Sequence, residues 1–153
     1  LSRVRAVEES SVAEFVVDKE IEGSVDAVWN VVADFGGLTW APGIESCEVE
    51  GPEGVGQIRK VKTGPVEIHE RLEEIDPAAR RLRYSIVQGP LPVDNYLATV
   101  ELTDAGAGRT QVRWGARFEA PDGMDEGTVK AIAGGVEGSY SGMVDALATA
   151  ASK

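Results

Sequence analysis

Apolar positions along the chain follow two rhythms. Over Ala13–Glu22 ("AEFVVDKEIE") they alternate with polar ones, the period of a strand with one buried face. Val25, Val28, Trp29, Val32 and Phe35 then recur every three or four positions, the period of a helix. Ser24 stands where an N-cap belongs, Asp26 suits the helix dipole, and Gly36-Gly37 stops the run. "LTWAPG" predicts a second short helical piece before Pro42-Gly43. Alternation returns in six runs: "IESCEVEG", "GQIRKVKT", "VEIHERLEEID", "RRLRYSIVQ", "NYLATVELT" and "RTQVRWGARFEA". Short separators rich in Gly, Pro and Asp divide them, so hairpins and an antiparallel meander are expected. Met124–Lys153 contains no proline, and Val129, Ile132, Ala133, Val136, Tyr140, Met143 and Leu147 form one helical stripe.

This order predicts an α+β fold. A seven-stranded curved antiparallel sheet wraps around a long C-terminal helix, with two short helices between strands 1 and 2. The 153 residues suit a single domain, 1–153, with a ragged, polar N-terminal segment over 1–12. Such a sheet gripping a helix leaves a pocket, typically of about 300–1,000 Å³. Strand parity sets its walls. Val61 and Thr63 point inward from the third strand, Val66, Ile68, Glu70 and Leu72 from the fourth, and Leu82, Tyr84 and Ile86 from the fifth. The sixth adds Tyr96, Ala98, Val100 and Leu102, and the seventh Val112, Trp114, Ala116 and Phe118. Arg81, Arg83, Glu101, Arg113 and Arg117 fall outside. The ligand-binding set is therefore Val61, Thr63, Ile68, Glu70, Tyr84, Ile86, Tyr96, Ala98 and Trp114, with Val136 and Tyr140 from the helix.

Glu70 is the anomaly, a carboxylate between Ile68 and Leu72 on an apolar face. Burying a charge costs several kcal/mol unless it is paired or hydrogen-bonded. Three readings follow. Glu70 plugs a wet cavity, accepting bonds from tyrosine hydroxyls or waters. It anchors a ligand hydroxyl, amine or bridging water. Or it serves as a general acid/base, since burial moves a carboxylate's proton transfer toward neutral pH. Other candidates read more plainly. His69 points outward as a solvated histidine, Asn95 is structural, and Arg80 and Arg81 are solvated charges at a turn. Trp29 and Trp40 are core residues, and Cys47 is a small buried hydrophobe. Gly134, Gly138 and Gly142 make a stripe facing away from the sheet. Its readings are tolerated helix weakness, a helix that bends to admit ligand, or close contact with a second protomer.

Charge and composition narrow the function. A net charge of −11 disfavours binding nucleic acid or an anionic membrane surface. No apolar run is long enough to span a bilayer, so membrane insertion is not expected. No apolar h-region precedes the acidic N-terminal stretch, so no signal peptide is expected, and Leu1 in place of Met leaves room for upstream residues. The single Cys47 forms no internal disulfide, which fits a reducing, cytoplasmic compartment. With one His and one Cys, no Cys/His metal cluster is available, and neither a metal nor another cofactor is expected. A monomer or homodimer is expected.

The element order and the segments "VWNVVADF", "WAPGIESC", "HERLEEID", "RRLRYSIV", "DNYLATV" and "APDG" resemble the START-like, SRPBCC or birch-pollen-allergen superfamily. They are similar in particular to plant abscisic acid receptors and to bacterial proteins of the polyketide cyclase/dehydrase and lipid transport type. The resemblance runs from about Ala13 to Ala150 and implies a helix-grip fold with an internal ligand pocket. In the receptors, pocket positions match Glu70, Tyr84, Ile86 and Tyr96 here. The lysine that pairs with the hormone's carboxylate falls at Ala41, and the gate and latch motifs are replaced by "KTGPV" and "GPLPV". What the resemblance implies is a pocket with an altered mouth, without abscisic acid perception or phosphatase docking. Three functions are in play: binding of a polyketide-, lipid- or aromatic-like molecule; a cyclase, aromatase or dehydratase using Glu70 and a tyrosine such as Tyr96 as acid and base; and an interaction module using the loops Lys62–Val66 and Gly89–Val93.

Overall fold

The computed structural model describes residues 12–153. The ragged segment expected over 1–12 lies, Val12 apart, outside the described residues. Strands are β1 (Val12–Glu22), β2 (Ser46–Glu50), β3 (Ile58–Thr63), β4 (Val66–Asp76), β5 (Arg81–Gln88), β6 (Asp94–Gly106) and β7 (Arg109–Glu119). Helices are α1 (Val25–Ala33) and the long α2 (Glu126–Ala151), with one 3₁₀ turn at Leu38–Trp40. The sheet runs β1-β7-β6-β5-β4-β3-β2 and is antiparallel throughout. Six strands follow one another as hairpins. α1 and the 3₁₀ turn carry the chain from β1 at one edge to β2 at the other.

Local chemistry sets the helix ends. Ser24 Oγ accepts from the Ala27 amide at 3.2 Å, closing the first turn of α1. That helix ends at Ala33, two residues before Phe35, which turns into the core and is 4% exposed. At the start of α2, the Asp125 carboxylate accepts from the Thr128 amide at 2.8 Å and from its hydroxyl at 3.0 Å. These bonds hold the Asp125 carboxyl below its ordinary pKa.

The halves of α2 differ. Tyr140, Val144 and Leu147 are buried in its C-terminal half. Val144 was missing from the predicted stripe, although it lies one turn beyond Tyr140. Lys19 of β1 ties this half down, with Nζ donating to Ser141 Oγ at 2.6 Å and to Asp145 Oδ1 at 3.0 Å. In the N-terminal half Val129, Ile132, Ala133 and Val136 are only half-buried. Gly134 and Gly138 are exposed, and a Cβ at Gly134, Gly138 or Gly142 would meet nothing within 4 Å. The stripe thus faces away from the sheet.

The concave face of the sheet holds the core. Val112, Ala98 and Phe118 have no exposure, and Phe118 stacks on Tyr96 with centroids 6.1 Å apart. The convex face carries cross-strand charges such as Arg117–Glu14 and Arg81–Glu74. Arg80 and Arg81, expected to be solvated charges, each carry a surface ion pair, Arg80 with Asp26 of α1 at 2.5 Å and Arg81 with Glu74 of β4.

Candidate ligand-binding site

Between the sheet and the middle of α2 lies a cavity of about 290 Å³. Of the predicted ligand-binding residues, Val61, Thr63, Ile68, Glu70, Tyr84, Ile86, Tyr96, Val136 and Tyr140 line it. Ala98 and Trp114 do not. Both point inward as parity requires, but they pack behind the tyrosines, 0% and 3% exposed, and form core rather than wall. Alternation separates the two faces of a strand; it does not separate cavity from solid interior.

Glu70 has a partner that the sequence reading overlooked. Arg59 Nε donates to Glu70 Oε1 at 2.7 Å, with the two side chains 4% and 13% exposed. Residues 59 and 70 stand opposite each other in the β3–β4 register, so the ladder itself sets the pair. Arg59 Nη1 donates to the Phe35 carbonyl at 3.0 Å. Its guanidinium lies 4.1 Å from the Phe35 ring centroid and 4.8 Å from that of Tyr84. Parity would have found Arg59, because it lies two residues before Val61. The pairing removes the premise of an isolated buried carboxylate. Among the described residues, Arg59 is the one hydrogen-bond donor to Glu70, and Oε2 accepts from none of them.

Four aromatic side chains form the second polar group. Trp114 Nε1–H donates to Tyr84 Oη at 3.2 Å. The Tyr84 hydroxyl donates to Tyr140 Oη at 3.0 Å, and the Tyr140 and Tyr96 hydroxyls share a further bond. Burial pushes all three phenols well above their ordinary pKa, and the Glu70 charge adds to the effect. These hydroxyls therefore stay protonated and act as hydrogen-bond donors and acceptors.

The remaining wall was not legible from strand alternation. Leu38, Pro42 and Ile44 come from the 3₁₀ turn and the segment after it, and Gly89, Pro90 and Leu91 from the β5–β6 loop. Gly135, Ser139 and Met143 come from α2. Helical spacing reaches Gly135 and Ser139 once Val136 and Tyr140 are placed, but neither is apolar enough to register in a hydrophobic stripe. Ala41 is 3% exposed and packs with Leu38 and Val61.

Other candidates sit elsewhere. His69 points outward but is not freely solvated; its side chain is 15% exposed, with Nε2 2.6 Å from Glu67 Oε2. This bond holds the Glu67 carboxyl below its ordinary pKa. Trp29 is buried and Trp40 half-buried, both in core. Cys47 is half-buried against Leu38, Ala41 and Val61, and burial raises its thiol pKa. Asn95 is exposed on left-handed backbone, at φ 51°, beside a register shift in β6. No helix among the described residues is long and apolar enough to cross a membrane.

Known proteins match this architecture. An uncharacterized protein of Bacillus thuringiensis is 30% identical, with a TM-score of 0.77 over 92% of this chain and 100% of its own. The protein XoxI of Bacillus cereus is also 30% identical, with a TM-score of 0.77 over 90% of this chain and 94% of that one. Norcoclaurine synthase from Thalictrum flavum, solved with dopamine and hydroxybenzaldehyde, is 22% identical; its TM-score of 0.72, over 94% of this chain and 89% of that one, reflects the shared fold. No curated protein matches the sequence. The family model described as polyketide cyclase / dehydrase and lipid transport aligns with residues 12–152, so the chain belongs to that family and to the SRPBCC superfamily that contains it.

Proposed function

We propose that this protein binds an apolar, ring-bearing small molecule of polyketide-, lipid- or aromatic-like character between the sheet and the middle of α2. The carrying observation is the cavity of about 290 Å³, whose wall is mainly aliphatic and whose polar groups are Arg59, Glu70 and the three tyrosines, with the hydroxyls of Thr63 and Ser139 besides. A few polar groups in an apolar pocket orient a ligand, while the apolar wall supplies most of the affinity. Binding is preferred to acid/base catalysis on two grounds. Glu70 is paired with Arg59, and the phenols are pushed away from the neutral range in which proton transfer is efficient.

Titration with the neutral apolar dye Nile red tests this. The protein should give a saturable rise in fluorescence. Gly135 lines the cavity from an exposed position on α2 where a Cβ meets nothing within 4 Å, so Gly135→Phe adds a ring at its rim. The variant should weaken dye binding by at least about tenfold, equivalent to about 1.4 kcal/mol. A saturable signal unaffected by Gly135→Phe would place the dye elsewhere and refute the reading. Native mass spectrometry of the purified protein should find a co-purifying small molecule.

A further inference from the structure

The polar corner has a proton count that specifies what it can accept, provided the binding reading above holds. Three tyrosine hydroxyls bring three protons. Trp114 donates into the chain at Tyr84, Tyr84 donates to Tyr140, and one proton is shared between Tyr140 and Tyr96. Two hydroxyl–hydroxyl bonds use two protons. One O–H therefore remains without an acceptor among the described residues, whichever of Tyr96 and Tyr140 donates to the other. Both tyrosines line the cavity and are 4% and 6% exposed, so bulk water is a poor substitute partner.

The acceptor side has the mirror property. Glu70 uses Oε1 on Arg59, and Oε2 accepts from no described residue. Arg59 and Glu70 cancel in charge, and the guanidinium already donates through Nε to Glu70 and through Nη1 to the Phe35 carbonyl while packing against the Phe35 and Tyr84 rings. A ligand carboxylate would meet Oε2 with no uncommitted cation beside it in the pocket wall. A ligand ammonium would be placed next to the guanidinium. Either would also lose its hydration on entering a mainly aliphatic cavity.

We propose that the cavity selects an uncharged ring compound carrying two polar groups, a carbonyl-type oxygen that accepts the spare tyrosine proton and a hydroxyl that donates to Glu70 Oε2. Carboxylic acids, fatty acids among them, and amines are discriminated against.

Calorimetric titration of four kinds of bicyclic probe at neutral pH tests this: tetralin, tetralone, the hydroxytetralones with the hydroxyl at each aromatic position in turn, and tetralin carboxylate. Tetralone should bind about tenfold more tightly than tetralin, and the best hydroxytetralone about tenfold more tightly again, the yield of one net hydrogen bond each. The carboxylate should be at least about tenfold weaker than tetralone. Glu70→Gln, whose amide also offers donors, should narrow the gap between hydroxytetralone and tetralone; the wild-type series decides the matter if that variant does not fold. Carboxylate binding as tight as that of tetralone would overturn the selection rule while leaving the cavity reading intact. Equal affinity of all neutral probes would also overturn it. Failure of every probe to bind would remove the cavity reading and this inference together.

Discussion

Replacing Arg59 with Met should be among the most destabilising single changes in the protein. The substitution keeps much of the side-chain volume but removes the partner of Glu70, the donor to the Phe35 carbonyl and the cation packed against two rings. Removing one member of a buried ion pair costs about 3–5 kcal/mol, because the other charge is left uncompensated. The lost bond to Phe35 adds about 1 kcal/mol. Glu70 keeps 13% side-chain exposure, so water screens part of the stranded charge and the lower end of that range is expected. Glu70→Gln should cost less, about 1–3 kcal/mol, since the amide oxygen still accepts from Nε. Replacing both residues with Met should recover about 1–3 kcal/mol relative to the sum of the single changes. Urea unfolding followed by tryptophan fluorescence measures all of these. A loss below about 1 kcal/mol for Arg59→Met, or strict additivity in the double variant, would show that the pair does not hold this corner together.

Other expectations follow from the backbone and the caps. A Cβ at Gly115 would lie 2.3 Å from the Phe15 carbonyl oxygen, an atom fixed by the β1–β7 ladder, so Gly115→Ala should destabilise by about 1–3 kcal/mol in thermal unfolding. At Gly138 a Cβ meets nothing within 4 Å, so Gly138→Ala should stabilise by about 0.5–1 kcal/mol and slow Nile red entry by stiffening α2. The Asp125 carboxyl has its folded pKa lowered below 3.8 by the bonds from Thr128. Its contribution should be full above that value and lost as pH falls through the lower folded one, so wild type and Asp125→Asn should converge in stability in acid.

The sequence shows architecture more readily than contents. Strand parity placed Tyr84, Tyr96 and Glu70 on the concave face because alternation is a property of backbone geometry. The same rule applied to "IRKVKT" puts Arg59 inward, but its setting beside Lys60 and Lys62 reads as a solvated basic run. Trp114 and Ala98 show the opposite limit: inward position does not reveal whether helix or empty space lies opposite. Pro42, Ile44 and Leu91 reach the cavity from segments that have no period to follow. Phe35 continues the spacing of α1 yet leaves the helix, because its place is over the Arg59 guanidinium.

Because β1 pairs with β7, Val12 lies opposite Glu119 and Glu22 opposite Arg109. During synthesis on the ribosome the first strand therefore waits without its partner until the seventh has emerged, while β2 through β6 can already zip into hairpins. The slow step of assembly should be this closing of the far edge, in which about ninety or more residues must loop back before eleven register pairs form. Until then the half-made sheet has its β6 edge open and its concave face uncovered, the state in which a nascent chain most needs shielding from its neighbours.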